Sequence, residues 1–147
     1  MDCATGTPRV LVVHDQPLIY EGIAAILRRD GGCEVSGQEC LSDGSPPERI
    51  EPASDVVVIA FASGAEETVE WARVIECKYP TITTVALTGQ PTARLLHRIA
   101  HASVCSVLVQ GSSAAVLVQA VRAASAHQRY LCPVVAEALM HAVADDE

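Results

Sequence analysis

The chain has 147 residues, half of them hydrophobic but only 3% aromatic, and its formal net charge is -8. This length suits one domain, and the scarcity of aromatic residues predicts a core of Ala, Val, Leu and Ile. Surfaces that bind nucleic acid are normally basic, so the charge argues against DNA binding by this chain alone. The apolar stretches are far shorter than the roughly 20 residues that span a bilayer, and no signal-peptide pattern is present. We therefore expect a cytoplasmic protein with no membrane contact.

Six cysteines are spread along the chain without a CxxC pair or zinc-site spacing: Cys3, Cys33, Cys40, Cys77, Cys105 and Cys132. In the cytoplasm we expect six separate reduced thiols, several of them buried as small apolar side chains. A redox pair of Cys33 and Cys40, which are close in sequence, is the alternative.

The first half of the chain predicts three strands and two helices. Continuous apolar runs over 9–13 and 55–60 are typical of strands buried on both faces, whereas weak alternation over 33–40 predicts a more exposed strand. Helical spacing of apolar residues predicts helices over 17–29 and 65–78.

The second half of the chain predicts two strands and three helices. They cover residues 81–88, 91–102, 104–109, 112–128 and 133–144. Ser112 or Ser113 is the expected cap of the helix over 112–128.

Strands that alternate with helices predict an α/β fold, here a doubly wound, parallel, five-stranded (βα)5 sheet followed by a C-terminal helix. Ligands and chemistry in such sheets are found at the carboxyl ends of the strands. The residues expected there are His14-Asp15, Ala60-Phe61, Thr88-Gly89 and Gln110-Gly111.

Five stretches of the chain carry a family resemblance in their order and spacing: "RVLVVHDQPLIYEGIAAIL", "SDVVVIA", "VALTGQ", "SVLVQGSSAAVLVQAVRAA" and "RYLCP". Together they resemble the receiver domain of bacterial two-component response regulators, in particular the LuxR/NarL-type transcription factors. The resemblance covers about residues 8–135 and implies the flavodoxin-like receiver fold.

The resemblance also implies a degenerate phosphorylation site. In that family two acids hold Mg²⁺, an Asp accepts the phosphoryl group, a hydroxyl binds one of its oxygens and a Lys pairs with it. Asp15 matches the second acid and Thr88 the hydroxyl. His14 stands at the first acid, Ala60 at the phosphoacceptor and Gln110 at the Lys.

This pattern predicts a protein without catalytic residues, cofactor or metal, because a methyl group cannot attack phosphorus. His14 and Asp15 are too few ligands for a structural metal site, which needs about four. His14, Asp15 and Thr88 are then remnants or local hydrogen-bonding groups. Alternatively, with Ala60, Phe61 and Gln110, they line a pocket for a small-molecule effector.

Basic residues recur along the predicted helix over 91–102, at Arg94, His97, Arg98 and His101. A row of this kind usually forms a solvated helix face. The resemblance implies an alternative, since helices at this place in the family often form dimer or signalling contacts, and a homodimer is the expected assembly.

The C-terminal stretch "RYLCPVVAEALMHAVADDE" resembles the start of a linker helix that leads to a helix-turn-helix domain in that family. We expect a receiver-like domain over 1–130 and the start of the linker helix over 131–147. The chain is then a fragment of a longer regulator, which the intact linker pattern favours, or a free-standing pseudo-receiver.

Two functions follow, and neither is enzymatic. The first is a phosphorylation-independent regulatory domain of a transcription factor that acts through dimerisation, ligand or partner binding and reaches DNA only through a helix-turn-helix domain missing here. The alternative is a stand-alone interaction protein without DNA-binding output. An enzyme is not expected, because no nucleophile–base pair is visible in the sequence.

Overall fold

The computed structural model describes residues 7–39, 54–60, 65–88, 92, 106–109 and 112–145. The strands are β1 (Arg9–His14), β2 (Glu34–Glu39), β3 (Val56–Ala60), β4 (Thr83–Thr88) and β5 (Ser106–Val109). The helices are α1 (Pro17–Arg29), α2 (Ala65–Lys78), α3 (Ala114–Ser125) and α4 (Pro133–Asp145). All five predicted strands and four predicted helices are confirmed, with small shifts at their ends. The predicted helix over 91–102 lies almost wholly outside the described residues.

The five strands form one parallel sheet in the order β2-β1-β3-β4-β5. This order, with α1 between β1 and β2, α2 between β3 and β4 and α3 after β5, confirms the predicted flavodoxin-like fold of a parallel five-stranded sheet with flanking helices. Every residue of the central strand β3 is buried, as the continuous apolar run predicts, whereas the edge strand β2 is largely exposed.

The helices cover both faces of the sheet. Neighbouring side chains of a strand point to opposite faces, and β4 shows this at its first two residues. The Thr83 hydroxyl lies 3.1 Å from Nδ1 of His127, just beyond α3, whereas the Thr84 hydroxyl donates to Glu76 of α2. The helix α3 also contacts α1, so α1 and α3 share one face and α2 covers the other.

The segment between α3 and α4 runs along the outer edge of β5. Val107 N–H donates to the Tyr130 carbonyl (3.0 Å), and Cys132 N–H donates to the Val107 carbonyl (3.2 Å). Cys132 and Val135 are buried in the core. The start of the C-terminal helix is therefore packed onto the sheet, next to the predicted domain boundary at residue 131.

Two smaller predictions concern the cap of α3 and the cysteine thiols, and the structure decides the first of them. Ser113 caps α3, because its hydroxyl accepts the Val116 N–H (3.3 Å). Cys33 and Cys132 are buried free thiols and Cys77 is an exposed one, whereas Cys40 lies outside the described residues, so its pairing with Cys33 stays untested.

A membrane crossing would need a longer apolar helix than any found in the described part of the chain.

Candidate functional site

The carboxyl ends of β1 and β3 bring His14 and Ala60 side by side. They are register partners of the two parallel strands, so their side chains point to the same face of the sheet. His14 is 5% exposed and Ala60 1% exposed. The position matched to the family's phosphoacceptor is therefore a buried methyl group beside a buried imidazole.

The His14 ring stacks on Tyr20 of α1. The two ring centroids are 5.1 Å apart and the planes are inclined by 14°. Within the described part of the chain, the buried Nδ1 atom of His14 has no hydrogen-bond partner. Among the described residues, His14 is thus held by packing, and its Nδ1 atom is buried without a hydrogen bond.

Tyr20 is fixed by contacts with β2 and with its own helix. A Cβ atom at Gly37 would lie 2.7 Å from the Tyr20 ring, so the ring rests directly on the β2 backbone. Arg28 Nη2 lies 3.4 Å from the Tyr20 hydroxyl and donates to the Val35 carbonyl at 2.9 Å. This support was not predicted from the sequence, although a glycine inside a strand is a recognised sign of close approach.

The other two described site residues take different positions. Asp15 follows β1 directly and is partly exposed. Thr88 is buried, and its hydroxyl donates to the Leu108 carbonyl (3.2 Å). This is the contact expected of a hydroxyl at a strand end that forms a hydrogen bond with the backbone. The register partner of Ala60 in β4 is Leu87, so Thr88 lies one residue beyond that row.

The remaining predicted residues lie outside the described residues: Phe61, Gln110, Arg94, His97, Arg98 and His101. The effector pocket and the basic face stay predictions. Among the described residues, no group of three His, Cys, Asp or Glu side chains is placed to hold a metal ion.

A second polar contact, also missed by the sequence analysis, lies near the amino end of β4. The Thr84 N–H (2.8 Å) and hydroxyl (2.5 Å) both donate to Oε2 of Glu76 in α2. Burial raises the pKa of the Glu76 carboxyl, while the Thr84 hydrogen bonds and the charge of Arg129 oppose the shift. This contact joins α2 to the sheet and is remote from the strand ends that carry His14 and Ala60.

Comparison with known proteins shows that the chain is similar to response regulators over their receiver domain. It is 31% identical to the response regulator GacA of Pseudomonas viridiflava over 131 residues, which are 89% of this chain and 61% of GacA. The chain thus spans about three fifths of the length of that relative. No protein-family model matches the sequence.

Solved structures of response regulators have the same fold. ChrA, from a heme-sensing two-component system, is 26% identical with a TM-score of 0.70, and the match covers 95% of this chain and 67% of ChrA. The isolated receiver (REC) domain of RcsB from Salmonella enterica serovar Typhimurium is 13% identical with a TM-score of 0.68, covering 90% of this chain and 98% of that one. RcsB has also been solved as two dimers bound to two parallel DNAs, at 15% identity and a TM-score of 0.70, covering 92% of this chain and 69% of RcsB.

The GacA and ChrA matches show homology with response regulators over the receiver domain, and the RcsB structures show the shared fold.

Proposed function

We propose that this chain is a regulatory receiver-type domain of a LuxR/NarL-type transcriptional response regulator that does not accept a phosphoryl group. The observation that carries the proposal is Ala60, a buried methyl group at the carboxyl end of β3. Phosphoryl transfer to a receiver needs an oxygen nucleophile at that position, and a methyl group has no lone pair.

The surrounding residues support the same conclusion. A magnesium site needs several oxygen ligands, and His14 replaces one of the two acids that the resemblance implies. The cation expected after β5 is Gln110 in this sequence. Carboxylates that share one site repel each other, and with Ala60 and His14 that repulsion is largely absent. We infer that the pocket holds one state without Mg²⁺.

Regulation in this proposal comes from dimerisation, an effector or a protein partner. The buried Nδ1 atom of His14, which has no hydrogen-bond partner among the described residues, supports a small-molecule effector that supplies one. The RcsB structure with dimers on DNA supports a homodimer whose DNA contacts are made by an output domain. In this proposal residues 1–130 form the receiver domain, residues 131–147 begin the linker, and the protein acts in the cytoplasm.

Intact-mass spectrometry tests the proposal. The chain is incubated with acetyl phosphate and Mg²⁺, and the receiver domain of GacA is treated in parallel as the positive control. We expect GacA to gain the mass of one phosphoryl group and this chain to gain none. A phosphoryl adduct on this chain would identify another acceptor, because Ala60 has no oxygen nucleophile, and would overturn the proposal.

A further inference from the structure

The outer side of β2 is an open strand edge in the described part of the chain. The sheet order places β2 at one edge and β5 at the other. The chain itself covers the β5 edge, because Val107 exchanges backbone hydrogen bonds with Tyr130 and Cys132. No described segment pairs with the outer side of β2, although its register with β1 is regular over all six residues. An edge of this kind is able to accept another strand.

Three residues of β2 offer their backbone groups to such a strand. Successive residues direct their N–H and C=O groups to alternate sides of a strand. The Glu34 N–H donates to the carbonyl of Pro8, just before β1 (3.0 Å), so every second residue from Glu34 is directed toward β1. The backbone groups of Val35, Gly37 and Glu39 therefore point outward.

The same three residues direct their side chains to the face of the sheet that α1 covers. A Cβ atom at Gly37 would meet the Tyr20 ring of α1, and Val35 and Glu39 lie two residues to either side of Gly37. At one end of the row the exposed Arg28 donates to the Val35 carbonyl (2.9 Å), and at the other end Glu39 is exposed. Between them lies the partly exposed Tyr20 ring. The edge thus presents a cation, an aromatic ring and an anion in order.

We propose that the β2 edge binds an extended segment of a protein partner as an antiparallel strand. The segment carries a basic residue opposite Glu39, an apolar β-branched residue beside the Tyr20 ring and an acidic residue beside Arg28. Read from its amino end, the motif is basic, any residue, apolar, any residue, acidic. Antiparallel pairing is slightly more stable per residue than parallel pairing, and a β-branched side chain packs well against an aromatic ring across strands.

Arg28 is compatible with an added strand. A carbonyl oxygen has two lone pairs, so the Val35 carbonyl accepts a partner N–H beside the guanidinium. The guanidinium has five N–H donors, and those directed away from Val35 are able to bind a partner carboxylate. The strand also lacks lysine and proline, the residues that commonly protect an edge from pairing.

This inference rests on the proposed function, because it gives a surface and a chemistry to the protein partner that is one of the inputs named there. The two proposals fail separately. A phosphoryl adduct in the mass spectrum would leave peptide binding at β2 unaffected. A β2 edge that binds no peptide would leave the result with acetyl phosphate unchanged.

Nuclear magnetic resonance of the full 147-residue chain tests the inference with the peptide TKTVTET, acetylated and amidated at its ends, at up to about 2 mM. We expect amide hydrogen exchange at Val35, Gly37 and Glu39 to slow about fivefold when four fifths of the chains hold peptide. Exchange at Ser36 and Gln38 should stay unchanged, because their N–H groups already face β1.

Modified peptides test the strand pairing without altering the protein. N-methylation of the central valine removes the N–H that faces Gly37 and should abolish binding. N-methylation of the threonine after it is the matched control, because that N–H points away from β2 and binding should be retained. The reversed peptide TETVTKT has the same composition but places like charges together in an antiparallel pair, so it should bind about fivefold more weakly.

Charge variants of the protein test the register. Glu39→Lys should weaken binding of TKTVTET about fivefold, because an attractive cross-strand pair becomes a repulsive one. The peptide TETVTET should bind this variant within about threefold of the wild-type affinity for TKTVTET. Glu137→Lys makes the same charge change on α4, which packs at the opposite edge of the sheet, and should leave the affinity unchanged.

Alternating amide protection along β2, together with loss of binding on valine methylation only, supports the inference. The absence of any change at Val35, Gly37 and Glu39 at the highest peptide concentration overturns it. Equal effects of the two N-methylated peptides, or tighter binding of the reversed peptide, also overturn it, because the antiparallel register is then wrong. The amide spectrum of each protein variant checks that the fold is retained.

Discussion

His14 and Ala60 are register partners on neighbouring parallel strands, and both side chains are buried on the same face of the sheet. Adjacent strands are about 4.8 Å apart, so a side chain introduced at position 60 reaches the imidazole directly. A substitution at either position should therefore change the environment of the other side chain.

The first prediction tests this coupling with Ala60→Asp. The introduced carboxylate is buried, and we expect it to lower the free energy of unfolding by about 2–4 kcal/mol even with His14 as a partner. In the variant H14A/A60D the charge has no imidazole beside it, so the loss should exceed the sum of the single losses by about 1 kcal/mol. Urea denaturation of the four proteins completes the cycle. A coupling energy near zero would mean that the two side chains do not meet.

The second prediction concerns the contact between Tyr20 and Gly37. The methyl group of Gly37→Ala would lie 2.7–2.9 Å from three atoms of the Tyr20 ring, so the ring must move and give up its stacking on His14. We expect a loss of about 1–3 kcal/mol of stability in urea. Gly22→Ala on α1, where nothing lies within 4 Å, is the control and should gain about 0.5–1 kcal/mol. Equal effects of the two substitutions would contradict the contact.

The third prediction distinguishes the two serines before α3. The Ser113 hydroxyl accepts the Val116 N–H, which no backbone carbonyl of the helix can satisfy at its first turn. Ser113→Ala should cost about 0.5–2 kcal/mol of thermal or urea stability. Ser112→Ala removes a hydroxyl one residue earlier and should change stability by no more than about 0.5 kcal/mol. The reverse order would place the cap at Ser112.

The fourth prediction concerns the pH dependence of stability. Burial raises the pKa of the Glu76 carboxyl in the folded protein. The stability that this group contributes is therefore complete below the ordinary pKa of Glu and is lost as the pH rises through the higher folded pKa. Glu76→Gln keeps an acceptor oxygen for Thr84 but does not titrate, so its stability relative to the wild type should increase with pH.

Urea titrations between about pH 4 and about pH 8 measure this trend. Glu76→Ala is the informative comparison, because it leaves the buried Thr84 N–H without its acceptor and should cost about 1–3 kcal/mol. A constant difference between wild type and Glu76→Gln across the pH range would show that the carboxyl titrates alike in the folded and unfolded chains.

Local pattern alone predicted most of the secondary structure. The apolar runs that became β1 and β3 are continuous because both faces of a central parallel strand are buried, and the alternating run that became β2 is weaker because that strand lies at the edge. The helix spacing predicted α2 with both of its ends. Such patterns are local, so they can be recognised in a single sequence without the tertiary structure.

The candidate site was only partly predictable. The sequence pattern predicted that His14 and Ala60 lie at strand ends. The stacking of His14 on Tyr20 could not be predicted, because it depends on how α1 crosses β1. The hydrogen bonds from Thr84 to Glu76 join residues of two elements, and nothing in either segment identifies its partner.

Burial periodicity and residue chemistry are properties of the chain, so the sequence was enough to predict which segments are strands and helices and that no nucleophile stands at position 60. The three-dimensional structure was needed to show that His14 pairs with Ala60, that residues 130–132 run along β5, and that Val134 and Met140 of α4 face outward. These relationships depend on register, on crossover geometry and on the packing of distant elements. Such quantities become definite only when the whole core is assembled.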